Sequence, residues 1–270
     1  MNKPESMAPT PFTQLLLAMR TDGAGHAIAL PSDWLQGRTA YGGLSAALCL
    51  EATLRAHGGL PPLRSAQFCF IGPATGVLRM APKVLRQGKS TVVIGVDLDG
   101  DSGLAVRATF CFGASRTVAQ THGVLDMPAV PAPEAATPYF TWPDRPNFMS
   151  HFDGRLAQGA VPGTPGHAPE MTVWLRHHDP EEGHTLVRLL SLADALPPPA
   201  LVLYRQAVPI STMTWAIDFL DDHPQTTDGW WLSRAVADTS CQGYSAQGAV
   251  IWNREGRPTL IARQNVAIFG

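Results

Sequence analysis

Gly37-Arg38-Thr39-Ala40-Tyr41-Gly42-Gly43 leads directly into Leu44-Ser45-Ala46-Ala47-Leu48-Cys49-Leu50-Glu51-Ala52-Thr53-Leu54-Arg55-Ala56. The second run favours helix, and Gly58-Gly59 would end it, so a helix is predicted over 44–56. Only Ser45, Glu51, Thr53 and Arg55 in it are polar. A helix that is apolar on nearly every face has to be buried rather than laid on a surface. What buries it is read from the residues that follow. Residues 64–70, 76–86, 90–98 and 103–112 look like short strands, separated by Gly-Pro, Gln-Gly-Lys and Asp-Gly-Asp turns. That pattern predicts antiparallel hairpins. Upstream, 11–19 is amphipathic and 26–30 reads as a short strand.

The second half of the chain runs in the same order. A strand over 172–176 leads to a helical run over 184–196, closed by Pro197-Pro198-Pro199. Strands are then expected over 212–220, 230–239, 243–253 and 258–269. The halves overlay with a nearly constant offset. Phe70 and Phe219 stand 149 residues apart, Gly88 and Gly243 155, and Gly113 and Gly270 157. A constant offset in constant order points to a tandem duplication, each copy a buried helix wrapped by an antiparallel sheet. Two such sheets could join edge to edge and cover edges otherwise exposed. Between the copies, residues 114–170 are punctuated by prolines from Pro128 to Pro169. Proline lacks a backbone donor, so this stretch reads as a linker wrapping a surface. The expected organisation is 1–113, a linker over 114–170, and 171–270.

Composition narrows the function classes. With 270 residues, one or two domains are expected. The chain is 45% hydrophobic and only 16% charged, which suits a sizeable core and excludes wholesale disorder. A net charge of −2 argues against a nucleic-acid surface. Cys49, Cys69, Cys111 and Cys241 form no close pair and sit in apolar stretches, so they are expected to be buried free thiols in a reducing compartment. The first twenty residues contain a short apolar run without a cleavage-like site, too short for a membrane span. Cytoplasmic location is therefore expected, without a membrane span. No GxSxG elbow and no GxGxxG after a strand occur, which argues against a serine hydrolase and a dinucleotide fold.

GRTAYGGLSAAL entering a buried helix, then Phe68-Cys69-Phe70-Ile71-Gly72-Pro73-Ala74 and VLRQGKS, resembles the N-terminal half of double-hotdog acyl-CoA thioesterases of the thioesterase II-like group. Leu192-Ala193-Asp194-Ala195-Leu196-Pro197-Pro198, Trp230-Trp231-Leu232, Gln242-Gly243-Tyr244 and the run from Glu255-Gly256 to Gln264 resemble its C-terminal half. The resemblance implies an α+β fold of two hotdog units in one chain. It also implies hydrolysis of a fatty acyl-CoA to free acid and CoA, a reaction of lipid metabolism that needs no cofactor. Hotdog proteins often pair further, which makes a homodimer the expected assembly.

Thioester hydrolysis needs a held water and positive potential at the developing oxyanion. Gly42 and Gly43 begin a helix, whose first amides lack internal partners, and glycine lets a ligand come close. They could equally serve only to let the helix start pack on the sheet. Tyr41, which precedes them, is expected to bind substrate with them, and Arg86 beside the Gln87-Gly88 turn could meet the phosphates of CoA; a solvated hairpin tip is the plainer role of Arg86. In the family an Asp, a Thr or Ser, and a Gln position the water. The family Gln corresponds to Gln264, which shares a strand face with Ala262 and Val266. Thr239 is chosen for the hydroxyl, with Asp238 in reserve. The family Asp position falls on Thr214, which has no carboxylate. Asp218 shares the strand face of Thr214, but about 13 Å along it. Asp194, on the second helix, is the other acid available. Other hotdog thioesterases use a helix acid, whereas a hydrogen bond at the helix end is its plainer role. An acyl chain would lie along the first helix, with Gln264, Thr239 and Thr214 around the water. A hydratase or dehydratase on this fold would want a histidine near the helix start, where none occurs. A non-catalytic acyl-thioester binding protein is the third reading. His177-His178-Asp179 and His184 lack the spacing of a zinc pair, so no metal is expected.

Overall fold

The computed structural model describes residues 9–120, 122–123, 125–179 and 185–270. The strands of the first half are β1 (Arg20–Asp22), β2 (Gly25–Ala29), β3 (Leu35–Gln36), β4 (Thr39–Ala40), β5 (Leu63–Phe70), β6 (Val77–Gln87), β7 (Thr91–Gly100) and β8 (Gly103–Gly113). Those of the second are β9 (Thr137–Pro138), β10 (Phe152–Gly159), β11 (Glu170–His177), β12 (Ile210–Phe219), β13 (Trp231–Cys241), β14 (Tyr244–Asn253) and β15 (Pro258–Ile268). Among the described residues three α-helices accompany them, α1 (Phe12–Ala18), α2 (Gly42–Ala56) and α3 (Thr185–Ala193). Among the described residues no helix is long and apolar enough to cross a membrane.

Thirteen of these strands form one sheet in the order β1-β2-β6-β7-β8-β5-β12-β15-β14-β13-β11-β10-β9. Apart from β9, the order reads the same from both ends. β1 and β2 correspond to β10 and β11, β6 to β13, β7 to β14, β8 to β15, and β5 to β12. The duplication seen as a sequence offset is thus a repeat of topology. The halves meet where β5 pairs antiparallel with β12 and Gln67 faces Ala216. The Gln-Gly turns occupy matching places, between β6 and β7 and between β13 and β14. At the second, Gln242 and Gly243 both have positive φ, as a two-residue hairpin turn of twisted strands requires.

α2 and α3 pack against each other and against one face of the sheet. In α2, Leu44, Ala46, Ala47, Leu48, Cys49 and Leu50 are completely buried, which fits a helix with no broad polar face. Together these features are a tandem hotdog fold. Residues 114–170 are more than a linker: β10 lies within them and pairs along its length with β11. Phe148, also in this stretch, stacks on Tyr41 with ring centroids 3.9 Å apart. The cysteines also differ from expectation. All four are free, but only Cys49 is buried, whereas Cys69 and Cys241 are exposed. Cys69 falls on the outward phase of β5, and Cys241 borders the tight hairpin turn.

Candidate active site

The start of α2 and the end of α3 come together. Tyr41 is buried, and its hydroxyl donates to the Ser191 carbonyl at 2.8 Å. It is therefore a tie between the two helices. Gly43 lies so close to α3 that a Cβ there would stand 2.6 Å from the Ser191 carbonyl oxygen. This close approach brings Asp194, the residue after α3, to the first turn of α2. Asp194 Oδ2 lies 2.7 Å from where a Cβ on Gly42 would be, and the Gly43 N–H donates to the carboxylate. Tyr41 at the N-cap makes no side-chain capping bond, and an acid from the other half of the chain faces the positive end of the helix dipole instead.

The second donor comes from the sheet. Gln264 Nε2 donates to Asp194 Oδ1 at 2.6 Å. Gln264 keeps the strand phase of Ala262 and Val266, the face turned to the helices. Behind it on β14, Gln247 Nε2 donates to Gln264 Oε1 at 2.6 Å. Asp194 keeps some exposure because it borders a cavity, yet its carboxyl is enclosed by protein. Burial raises its pKa to about 7, against the opposing pull of the Gln264 and Gly43 donors. Burial, and then the nearby Asp194, also push the Tyr41 hydroxyl well above its usual range.

The cavity that Asp194 borders has a volume of about 360 Å³. Gly42, Ser45, Phe70, Ser211 and Thr212 are among its lining residues. Its described lining holds no histidine. A larger cavity of about 810 Å³ lies near His177, Asp179 and Arg188. It shares no described lining residue with the cavity that Asp194 borders.

The remaining candidates are scattered. Thr214 is exposed on the opposite face of the sheet, where it lines an outer groove with Cys69 and Arg107. The reason is a bulge in β12, where the pairing with β15 shifts register between Thr212 and Thr214. The extra residue changes the phase of the strand. Thr212 then shares the helix-facing side with Trp215 and Ile217, while Thr214 shares the outer side with Ala216 and Asp218. Thr239 is exposed beyond a second register shift, between Ala237 and Thr239 of β13, and does not line the Asp194 cavity. Asp238 pairs with Arg263 on the outer surface. Arg86 is exposed near the end of β6 and lies outside the cavity lining. His177 Nε2 contacts the Arg188 carbonyl and His178 Nδ1 that of Ser150. His184 lies outside the described residues.

Among the described residues, the first copy has no amide in the place of Gln264. Gln264 pairs with Trp215 on β12, and Phe110 pairs with Ala66 on β5. Ala66 and Trp215 are 149 residues apart, the same offset as Phe70 and Phe219. Phe110 therefore stands where the second copy has Gln264, and it is completely buried. An apolar ring there offers no donor.

Chemically, the Asp194 arrangement offers an enclosed carboxylate whose pKa burial raises to about 7, an amide that donates to it, hydroxyl residues lining the same cavity, and a helix N-terminus. Residues 30–113 match the model of the acyl-CoA thioesterase N-terminal domain, and residues 126–268 that of the acyl-CoA thioesterase C-terminal domain. No protein in the curated set matches the sequence. Among solved structures, a conserved hotdog-fold protein from Alicyclobacillus acidocaldarius superposes with a TM-score of 0.84 at 24% identity, covering 95% of this chain and 97% of that one. A TesB protein of Mycobacterium avium subspecies paratuberculosis gives 0.77 at 16% identity, covering 96% and 99%. An acyl-CoA thioesterase II from Mycobacterium marinum gives 0.75 at 17% identity, covering 95% and 98%.

Proposed function

Because the chain belongs to the acyl-CoA thioesterase family, carrying its N-terminal and C-terminal domains in one polypeptide, we propose that it hydrolyses acyl-CoA to free acid and CoA at Asp194. The observation that carries this reading is the 2.6 Å hydrogen bond between Gln264 and Asp194 at the start of α2, opening on a cavity. Asp194 is the general base. A carboxylate with a pKa near 7 can take a proton from water at neutral pH more readily than an ordinary, weakly basic carboxylate. Gln264 orients that carboxylate, and Thr212 supplies the hydroxyl that completes the hold on the water. The thioester carbonyl lies against the first turn of α2, where the helix dipole favours the developing negative charge. Water adds to the carbonyl carbon as its proton passes to Asp194. Collapse of the tetrahedral intermediate breaks the carbon–sulfur bond, and the thiolate of CoA leaves.

A free-thiol release assay over a panel of acyl-CoAs tests the activity. Binding without thiol release would instead favour the acyl-thioester binding protein. The dehydratase reading gains nothing from this cavity, whose described lining lacks the histidine that chemistry wants.

Two results are expected from single substitutions. Thr212→Val lowers kcat by about tenfold, the cost of one lost hydrogen bond to the reacting water, whereas Thr214→Val stays within about twofold because its side chain faces the outer groove. Equal effects of the two would remove Thr212 from the site. Gln264→Ala lowers kcat by about 10- to 100-fold and moves the midpoint of the pH–rate profile upward, since the carboxylate loses a donor that favours its charged form. Its circular dichroism spectrum is expected to match that of the parent protein. Unchanged turnover would take Gln264 out of the site.

A further inference from the structure

The thioesterase reading assigns Gln264 a task that Gln264 cannot guarantee alone. A terminal amide has nearly the same shape when turned by half a revolution, and the turn exchanges a donor for an acceptor. Turned that way, Gln264 would present its carbonyl oxygen to the Asp194 carboxylate and place two acceptors against each other. Gln264 is partly exposed, so close packing does not prevent the turn.

The residue that can prevent it stands on the neighbouring strand. Gln247 of β14 is the register partner of Gln264 on β15. It is buried, with 6% of its surface exposed. Its Nε2 lies 2.6 Å from Gln264 Oε1, and Gln264 Nε2 lies 2.6 Å from Asp194 Oδ1. The direction of the chain follows from the charge at its end. An ionised Asp194 favours the Gln264 orientation that turns its N–H₂ toward it, whereas a protonated one can also donate and no longer selects it; Gln247, donating to the Gln264 carbonyl, makes its bond in that same orientation. The other end of Gln247 does no comparable work, because its Oε1 is buried without a hydrogen-bond partner in the protein. A buried polar atom left that way costs stability. For packing alone, an apolar side chain of the same size would serve better.

We propose that Gln247 is a positioning residue of this site: it holds the Gln264 amide in the orientation that directs an N–H at Asp194. The inference rests on the reading of Asp194 as the base, and it deepens that reading without adding a group that touches substrate. Two consequences separate it from a merely structural role. Gln247 acts only through Gln264, and its removal changes the protonation of Asp194 more than it changes substrate affinity.

Gln247→Met and Gln247→Leu both remove the donor while differing in shape. In the full-length protein, with the acyl-CoA of the panel turned over fastest, each is expected to lower kcat by about tenfold with KM within about twofold. The midpoint of the pH–rate profile should rise in each. In the Gln264→Ala background, either substitution should change nothing further. Asp194 is also titrated directly by carbon NMR of its labelled carboxyl in the free protein, where its midpoint should rise in both variants and in Gln264→Ala. That titration needs no turnover, so it judges Gln247 even if the protein hydrolyses no thioester, whereas a silent thiol assay judges the thioesterase reading alone. The proposal is overturned if the Gln247 and Gln264 effects on rate multiply independently. It is overturned equally if the Asp194 midpoint stays in place in the Gln247 variants while moving in Gln264→Ala. Should one variant fail to fold, the other carries the same measurements.

Discussion

Asp194→Asn is expected to lower kcat by about 10³- to 10⁴-fold, the largest loss available to a single side chain in this site. The amide is nearly the same size as the carboxyl and can still accept from Gly43 or Gln264, so the fold should persist. What disappears is the group proposed to take the proton. The pH dependence supplies an independent check. In the parent protein kcat/KM should rise as pH passes through about 7, the pKa to which burial raises Asp194, because the ionised form is the active one.

Stability should respond in the opposite sense. The folded pKa of Asp194 lies above the usual carboxylate value of 3.8. Between those two values the folded protein holds a proton that the unfolded chain has released, so this group's contribution to stability falls as pH rises through that window. Asn cannot ionise, so its stability contribution should stay level. The expected result is a parent melting temperature that declines from about pH 4 to about pH 7 relative to that of the variant. The loss across that window should be on the order of 4 kcal/mol, about 1.4 kcal/mol for each unit between the two pKa values. Parallel curves for the two proteins would show that Asp194 is ionised at little cost, and would undo the account of its pKa.

Gly43→Ala should be the most damaging small change outside the acid itself. A Cβ there would lie 2.6 Å from both the Ser191 carbonyl oxygen and the Tyr41 hydroxyl. The first is backbone of α3. The second belongs to a ring that is 1% exposed and stacked on Phe148. Neither can swing aside, so the helices must separate by several tenths of an ångström. Such overpacking costs about 2–3 kcal/mol, enough to lower the melting temperature by roughly 5–10 °C in a chain of this size. Asp194 would then be displaced from α2, and misplacement on the scale of 1 Å costs about 100-fold in rate. Gly42→Ala makes the informative contrast. Its Cβ would meet the movable Asp194 carboxylate at 2.7 Å, so it should impair turnover while costing much less stability. If both variants melt with the parent protein, the close helix approach is not what assembles the site.

The two kinds of residue that the sequence identified differ in how far their information travels. α2 is legible because its helix formers and its continuous apolar character are adjacent in the chain, and the Gln-Gly turns because turn chemistry is local. Gln264 could be placed on the helix-facing side because the alternation of β15 from Ala262 to Val266 is uninterrupted. Thr212 could not, because a single extra residue in β12 reverses the phase between it and Trp215. Counting by twos back from Trp215 turns Thr212 outward, counting forward from Ile210 turns Thr214 inward, and nothing in Ser211-Thr212-Met213-Thr214 announces the bulge. The same failure affects Thr239. The sequence does not single out Gln247, because a lone glutamine in a strand gains meaning only from the residue paired with it. The strand β10 was hidden by the prolines around it, since proline density describes a stretch on average and says little about eight residues within it.

Chain-local patterns determined the duplicated helix-and-strand units, their order, and the side of β15 from which an amide reaches inward. These follow from propensity, periodicity and turn stereochemistry, which act over a few residues. Tertiary structure alone decided that the end of one copy's helix meets the start of the other's, bringing an acid from residue 194 against an amide from residue 264 and a glycine from residue 43. That meeting depends on how closely two backbones approach across the junction of the halves, and no periodic pattern within either half contains that distance.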